Sequence, residues 1–232
     1  MGIEFDDRTS ESPYIERVWR SRSDGVDRMT SIATAHWTLV AWRAGTAWRV
    51  AAQGPESGAT TARVPTETEF VGIRLSLGTT FEPMPTGRLV DGGAEFADVS
   101  RHSVRIFGHT VPLLGYDDAE DLVRRMARAG VVVRDPLVRD VLGGWLPDVT
   151  DRTVRRHFAR VTGLTPGAVR QIERARTAAA LIRTGAPIAD VAHDLGYYDQ
   201  PHLARSLDRF IGHTATALRD GTSGQLSLLY KT

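Results

Sequence analysis

The chain has 232 residues, 41% of them hydrophobic and 25% charged, with a formal net charge of +1. Those values belong to a folded globular protein of one large or two modest domains; they exclude a disordered or fibrous chain and give no bulk basic charge for nucleic acid. Cysteine is absent, which removes disulfide frameworks, thiolate metal sites and thiol nucleophiles together.

The chain opens on the acidic run Glu4-Phe5-Asp6-Asp7 and contains no apolar stretch near the ~18 residues that a membrane span needs. Neither a leader nor an anchor is expected, and the cytoplasm is the expected compartment. From Ser31 to Leu114 short runs rich in Val, Thr, Trp, Phe and Ile alternate with glycine and proline. His36 to Trp42 and Thr46 to Ala51 read as strands joined by a tight turn at Ala44-Gly45, and Glu69 to Leu77 and Ser103 to Phe107 add further strands. Trp37, Trp42 and Trp48 fit a strand core better than an aromatic pocket. Gln53 to Gly58 lacks the spacing and lysine of a phosphate-binding loop and reads as a turn.

The same half shows no chemistry of its own. His36, His102 and His109 stand far apart in sequence, with no His-x-His at strand spacing, so no metal site is expected. No Gly-x-Ser-x-Gly elbow occurs, and Asp117-Asp118 suits a helix start better than acid–base work. The expectation is therefore no catalytic residue, no cofactor and no enzyme.

After Tyr116 the period changes. Asp117 to Asp121 load acid onto a helix start, and Leu122, Val123, Met126 and Ala127 repeat at helical spacing before Gly130. A short helix is predicted over Pro136 to Leu142. Thr150 caps the next, with Val154, Phe158 and Val161 inward and Arg152, Arg155 and Arg156 outward. Thr165-Pro166 starts a long helix whose inward face is Val169, Ile172, Ala175, Ala179 and Ile182, ending at Gly185.

Next, Ile188, Val191, Ala192 and Leu195 fall at i, i+3, i+4 and i+7, with Gly196 placed for a left-handed stop. Asp199 caps a following helix that buries Leu203, Leu207, Phe210 and Ile211, and Thr214 offers a cap for a last short helix. Two short amphipathic helices across a glycine turn make a helix-turn-helix. The second presents Gln200, His202, Ala204, Arg205 and Arg209 outward, side chains suited to base edges and phosphates as well as to an ordinary solvated face. From Thr150 to Asp220 eleven arginines oppose seven acids, and guanidinium forks suit phosphate and guanine better than ammonium does.

Ile188-Ala189-Asp190-Val191-Ala192, Leu195-Gly196-Tyr197-Tyr198-Asp199-Gln200-Pro201-His202-Leu203-Ala204-Arg205-Ser206-Leu207 and Ile211-Gly212 together resemble the signature of the AraC/XylS family of transcriptional regulators. Val154-Arg155-Arg156-His157-Phe158, Gly163-Leu164-Thr165-Pro166, Arg174-Ala175-Arg176 and Ala179 to Ile182 resemble that family's first recognition helix and linker helix. The resemblance implies two helix-turn-helix units on one linker, entering major-groove segments ~10 bp apart. It places base contacts on Arg152, Arg155 and Arg156 in the first unit and on Gln200, Ala204 and Arg205 in the second. Two departures stand out: only Gly143 to Val149 separate the Pro136 to Leu142 helix from Thr150, which predicts a curtailed first unit, and Ala215 stands where the family usually has proline.

The expected fold is α+β: a β-rich domain over 1–116, a sandwich or cupin-like barrel, then a connecting helix over 117–134. An all-α double helix-turn-helix domain over 135–220 and a tail over 221–232 complete it. The expected function is sequence-specific binding to double-stranded promoter DNA with RNA polymerase as a partner, and no membrane. The β-rich domain would bind a small-molecule effector or mediate homodimerisation. The alternative is a β-barrel enzyme for a small molecule with an appended helical module; turnover by the isolated β-rich part would favour it.

Overall fold

The computed structural model of the chain describes residues 2–24, 28–63, 67–145, 148–221 and 226–227. Strands dominate the N-terminal half: β1 (Gly2–Thr9), β2 (Ile15–Asp24), β3 (Arg28–Ser31), β4 (Thr38–Ala44), β5 (Ala47–Gln53), β6 (Thr60–Arg63), β7 (Glu69–Leu75) and β8 (Thr79–Phe81). The one-turn helix α1 (Thr86–Leu89) precedes β9 (Gly93–Phe96), β10 (Ser103–Ile106) and β11 (His109–Pro112). Helix α2 (Ala119–Arg128) and β12 (Val132–Arg134) lead into the helical part: α3 (Pro136–Leu142), α4 (Asp151–Thr162), α5 (Pro166–Arg183), α6 (Ile188–Asp194), α7 (Gln200–Ile211) and α8 (Ala215–Arg219), followed by β13 (Leu226–Ser227). The class is α+β, β-rich first and helical second, as the sequence indicates.

The chain divides into two compact units that interleave along the sequence. The first comprises Met1–Val26, His36–Pro55 and Pro65–Pro166, and the second Asp27–Ala35, Glu56–Val64 and Gly167–Thr232.

In the first unit six strands form one sheet in the order β1-β2-β7-β4-β5-β9, every pairing antiparallel. The β4–β5 turn falls at Gly45, whose φ of 63° suits a residue without a Cβ. Alternation sends Leu39 and Ala41 of β4, Val50 and Ala52 of β5, and Ile73 and Leu75 of β7 to one face. Phe81, Val104, Ile106, Leu122, Val123 and Met126 pack on that face and are buried with them. Each fully buried aliphatic side chain stabilises the fold by about 1.5–3 kcal/mol.

Trp37 lies edge-on to Phe81 at 5.6 Å within this core, and Trp48 packs against it. On the opposite face Trp19 lies over Gly72, where an added Cβ would stand 2.1 Å from the indole. Phe5 stacks on Trp19 at 5.9 Å.

Charge pairs line the edge strand β1 along its antiparallel ladder with β2. Asp6 sits directly opposite Arg20 and pairs with it at 2.8 Å, and Asp7 pairs with Arg17. Arg8 reaches α2 with two bonds to Glu120, 2.6 and 2.8 Å, and one to the Tyr116 carbonyl at 2.8 Å. The Arg8 hydrogen bond, supported by Ser10, holds the Glu120 carboxyl at about 2, well below its ordinary 4.5.

In the second unit β3 pairs antiparallel with β6 and parallel with β13. The segment expected to be a turn, Gln53 to Gly58, leaves β5 and bends at Ser57 and Gly58 before β6. Thr34 and Glu56 exchange both backbone bonds, at 3.0 and 2.8 Å, and Gly54 donates to the Gly92 carbonyl at 2.9 Å. Its glycines allow close passage: a Cβ on Gly54 would stand 2.1 Å from the Leu89 carbonyl oxygen.

Candidate nucleic-acid interface

Helix α4 carries the first set of outward arginines. Thr150 caps it, its hydroxyl accepting from the Thr153 amide at 3.3 Å, and Gly163 ends it in the left-handed region at φ 66°. Phe158 and Val161 are buried and Val154 is half-buried, while Arg152, Arg155 and Arg156 are all exposed. Those three arginines form no ion pair with the described residues.

His157 and Arg160 of α4 are engaged within the first unit. Asp135, 4% exposed, caps α3 by accepting from the Leu137 amide at 3.0 Å, and its second oxygen faces His157 Nδ1 at 2.6 Å and Arg160 at 2.7 Å. Burial alone raises the Asp135 carboxyl; the hydrogen bonds from His157 and Arg160 outweigh it and hold the group below the carboxylate range. Arg160 also faces Glu82 at 3.6 Å. At the helix end the Trp37 indole donates to the Val161 carbonyl at 3.0 Å. Helix α3, seven residues long, precedes α4 in the chain.

The second set lies on α7, in the second unit. Helix α6 buries Val191 and Ala192 and stops at Gly196, φ 68°. Tyr197 then turns inward, 6% exposed, and its hydroxyl lies 3.1 Å from that of Ser206 on α7. The Arg174 guanidinium of α5 lies over the Tyr197 ring at 4.4 Å and donates to the Gly196 carbonyl at 3.3 Å. Asp199 caps α7 by accepting from the His202 amide at 2.6 Å. His202 meets Tyr197 edge-on at 5.2 Å, and its Nδ1 lies 3.3 Å from the Tyr198 amide. An amide donor fixes Nδ1 as the acceptor, which leaves the ring proton of neutral His202 on Nε2.

Leu203, Leu207, Phe210 and Ile211 are buried, as their spacing requires, and Gln200, Ala204, Arg205 and Arg209 are exposed. His202 is half-buried in the turn. Asp208 shares the exposed side of the helix. The long helix α5 supports this arrangement through Val169, Ile172, Ala175, Ala179 and Ile182, all fully buried.

Sequence reading missed what holds the far end of α7. The last carbonyls of a helix have no partner within it, and here the segments beside β3 and β6 supply the donors. Ala33 donates to the Phe210 carbonyl at 2.8 Å and Ala59 to the Arg209 carbonyl at 2.9 Å. Arg176 of α5, 9% exposed, donates to the Ala33 carbonyl at 3.0 Å. His213 Nε2 lies 3.0 Å from the Thr30 hydroxyl, and burial pushes its imidazole below the ordinary value. No local pattern in the chain announces these contacts, since their partners lie more than a hundred residues apart.

Residues 148–221 match a family model described as a helix-turn-helix domain. Together with the α6–turn–α7 geometry, the match decides the class. This segment is an AraC-type helix-turn-helix domain. It runs from the approach to α4 through α8 and leaves α3 outside. The AraC-type domain supports binding to double-stranded DNA and a role as a DNA-binding regulator. No curated protein and no solved structure matches the chain. Among the described residues no group of three or more His, Cys, Asp or Glu is placed to hold a metal ion. No described helix is long and apolar enough to cross a membrane.

Proposed function

We propose that the chain is a sequence-specific transcriptional regulator of the AraC/XylS type, with α7 as its principal reading helix for promoter DNA. The observation that carries this reading is the exposed stripe Gln200, Ala204 and Arg205 on a helix whose entry is capped by Asp199 and locked by Arg174, Tyr197 and His202. Arg205 has the fork for the O6 and N7 of guanine, Gln200 the amide for adenine, and Ala204 an apolar surface for a thymine methyl group. His202 offers Nε2–H, and Arg209 suits a phosphate. Arg152, Arg155 and Arg156 on α4 form the second reading set.

The β-rich part binds a small effector or pairs two chains, and the DNA-bound chain recruits or blocks RNA polymerase in the cytoplasm. Selection of duplexes from a random-sequence pool by the full-length chain tests the reading. It yields a defined motif, and the same selection with Arg205→Ala loses information at one position of it. Recovery of unrelated sequences by the wild-type chain would contradict the reading.

A further inference from the structure

Tyr197 and Tyr198 are neighbours with opposite fates. The first is buried under Arg174 and bonded to Ser206, whereas the second is 92% exposed, the highest value among the described large hydrophobic residues that stand in water. Its backbone is nevertheless fixed. The Tyr198 amide donates to His202 Nδ1 at 3.3 Å, and the next residue, Asp199, caps α7 at 2.6 Å. The ring is therefore a free phenol on a rigid stem, immediately before the N-cap of the reading helix. An aromatic ring left in water forgoes the burial that drives aromatic side chains into cores, and its hydroxyl is open to a partner outside the chain.

A recognition helix lying in the major groove contacts base edges with its N-terminal residues. The residue just before the N-cap then lies outside the groove, at the rim where the sugar–phosphate backbone runs. Tyrosine hydroxyls are among the groups that donate to phosphate oxygens and fix a protein's register on the duplex. We infer that Tyr198 is a positioning residue of the DNA interface, its hydroxyl donating to a phosphate at the edge of the groove that α7 reads. The inference rests on α7 being the reading helix. A tyrosine hydroxyl brings no positive charge to the phosphate, so the contact adds affinity without releasing a counterion.

The test uses the full-length chain as wild type, Tyr198→Phe and Arg209→Ala. The probes are the duplex that the wild-type chain enriches from a random pool and a scrambled duplex, read by fluorescence anisotropy over a salt series. Tyr198→Phe weakens binding to both duplexes by the same factor, roughly 10- to 150-fold for a hydrogen bond to a charged acceptor. The slope of log affinity against log salt stays that of the wild type, whereas Arg209→Ala makes it shallower by ~0.9. The thermal midpoint of Tyr198→Phe stays at the wild-type value.

Affinity within twofold of wild type on both duplexes would overturn the phosphate contact. A loss confined to the enriched duplex would do the same and make Tyr198 a base reader. If the wild-type chain fails to tell the duplexes apart, the reading of α7 fails, while equal losses of Tyr198→Phe on both still support the phosphate contact.

Discussion

The indole of Trp37 donates to the main-chain carbonyl of Val161 over 3.0 Å, tying the approach to β4 to the last turn of α4. Both groups are buried, Trp37 at 1% and Val161 at 1% exposure. Val161 contributes one of the final carbonyls that α4 cannot satisfy itself. The helix bearing Arg152, Arg155 and Arg156 is therefore finished by a side chain from the strand-rich half.

Replacing Trp37 by Phe leaves that carbonyl buried without its donor and opens space beside Phe81. Stability falls by roughly 2–4 kcal/mol, measured by urea denaturation of the full chain. A loss below about 0.5 kcal/mol, the range of a neutral surface change, would show that the bond contributes nothing to the fold.

A second prediction concerns the far end of α7. Gly212 has φ 75°, and a Cβ there would lie 3.1 Å from Ala59 and 3.1 Å from Thr30. Gly212→Ala combines left-handed strain with this crowding and destabilises the chain by about 1–3 kcal/mol. Amide exchange at Ala33 and Ala59, the donors to Phe210 and Arg209, speeds up in the variant. Unchanged exchange at both amides would mean that these segments do not hold the helix end.

Acid sensitivity follows from two carboxylates. Glu120 is held at about 2 against an ordinary 4.5 by the Arg8 hydrogen bond, and Asp135 is held low because bonds from His157 and Arg160 outweigh its burial. A depressed carboxyl binds fewer protons folded than unfolded, so its stabilisation is complete above the unfolded value and is lost as pH falls through the folded one. For Glu120 the window is therefore from about 4.5 down to about 2. At pH 7 Glu120→Gln is less stable than wild type by about 1–2 kcal/mol. The difference shrinks through that window in denaturant titrations at stepped pH. A gap that persists unchanged at the acid end would assign the effect to packing rather than charge.

How much of this was legible in the sequence depends on how local its cause is. The caps at Thr150, Asp199 and Thr214, the glycine stop at Gly196 and the buried stripe of α7 each arise within a few residues, and all stand where the spacing puts them. β1 and β2 escaped because charge masks their alternation: Asp6, Asp7, Arg17 and Arg20 satisfy one another across the strands, a pairing visible only once the register is known. The donors to the end of α7 escaped for a stronger reason, since Ala33 and Ala59 carry no pattern at all and act through their backbones. The exposed arginines were legible by helical period, but their freedom was not. Arg160 has the same chemistry and similar exposure as its neighbours, yet Asp135 and Glu82 occupy it.

On the proposed reading, Arg205 and Arg209 separate base reading from phosphate binding on one helix. Arg205→Ala costs about 1–3 kcal/mol on the enriched duplex and relaxes a single base position. Arg209→Ala weakens all sequences alike. Competition assays with single-base variants of the duplex distinguish the two, and equal losses for Arg205→Ala on enriched and scrambled DNA would remove its base-reading role.

The most direct test of the central claim is anisotropy of the full-length chain on the DNA upstream of its own coding sequence and on a scrambled duplex, across a salt series. A regulator that reads sequence through α7 prefers the upstream DNA at moderate salt, with affinity falling steeply as salt rises. Equal weak binding to both duplexes, unaltered by Arg205→Ala, would contradict it.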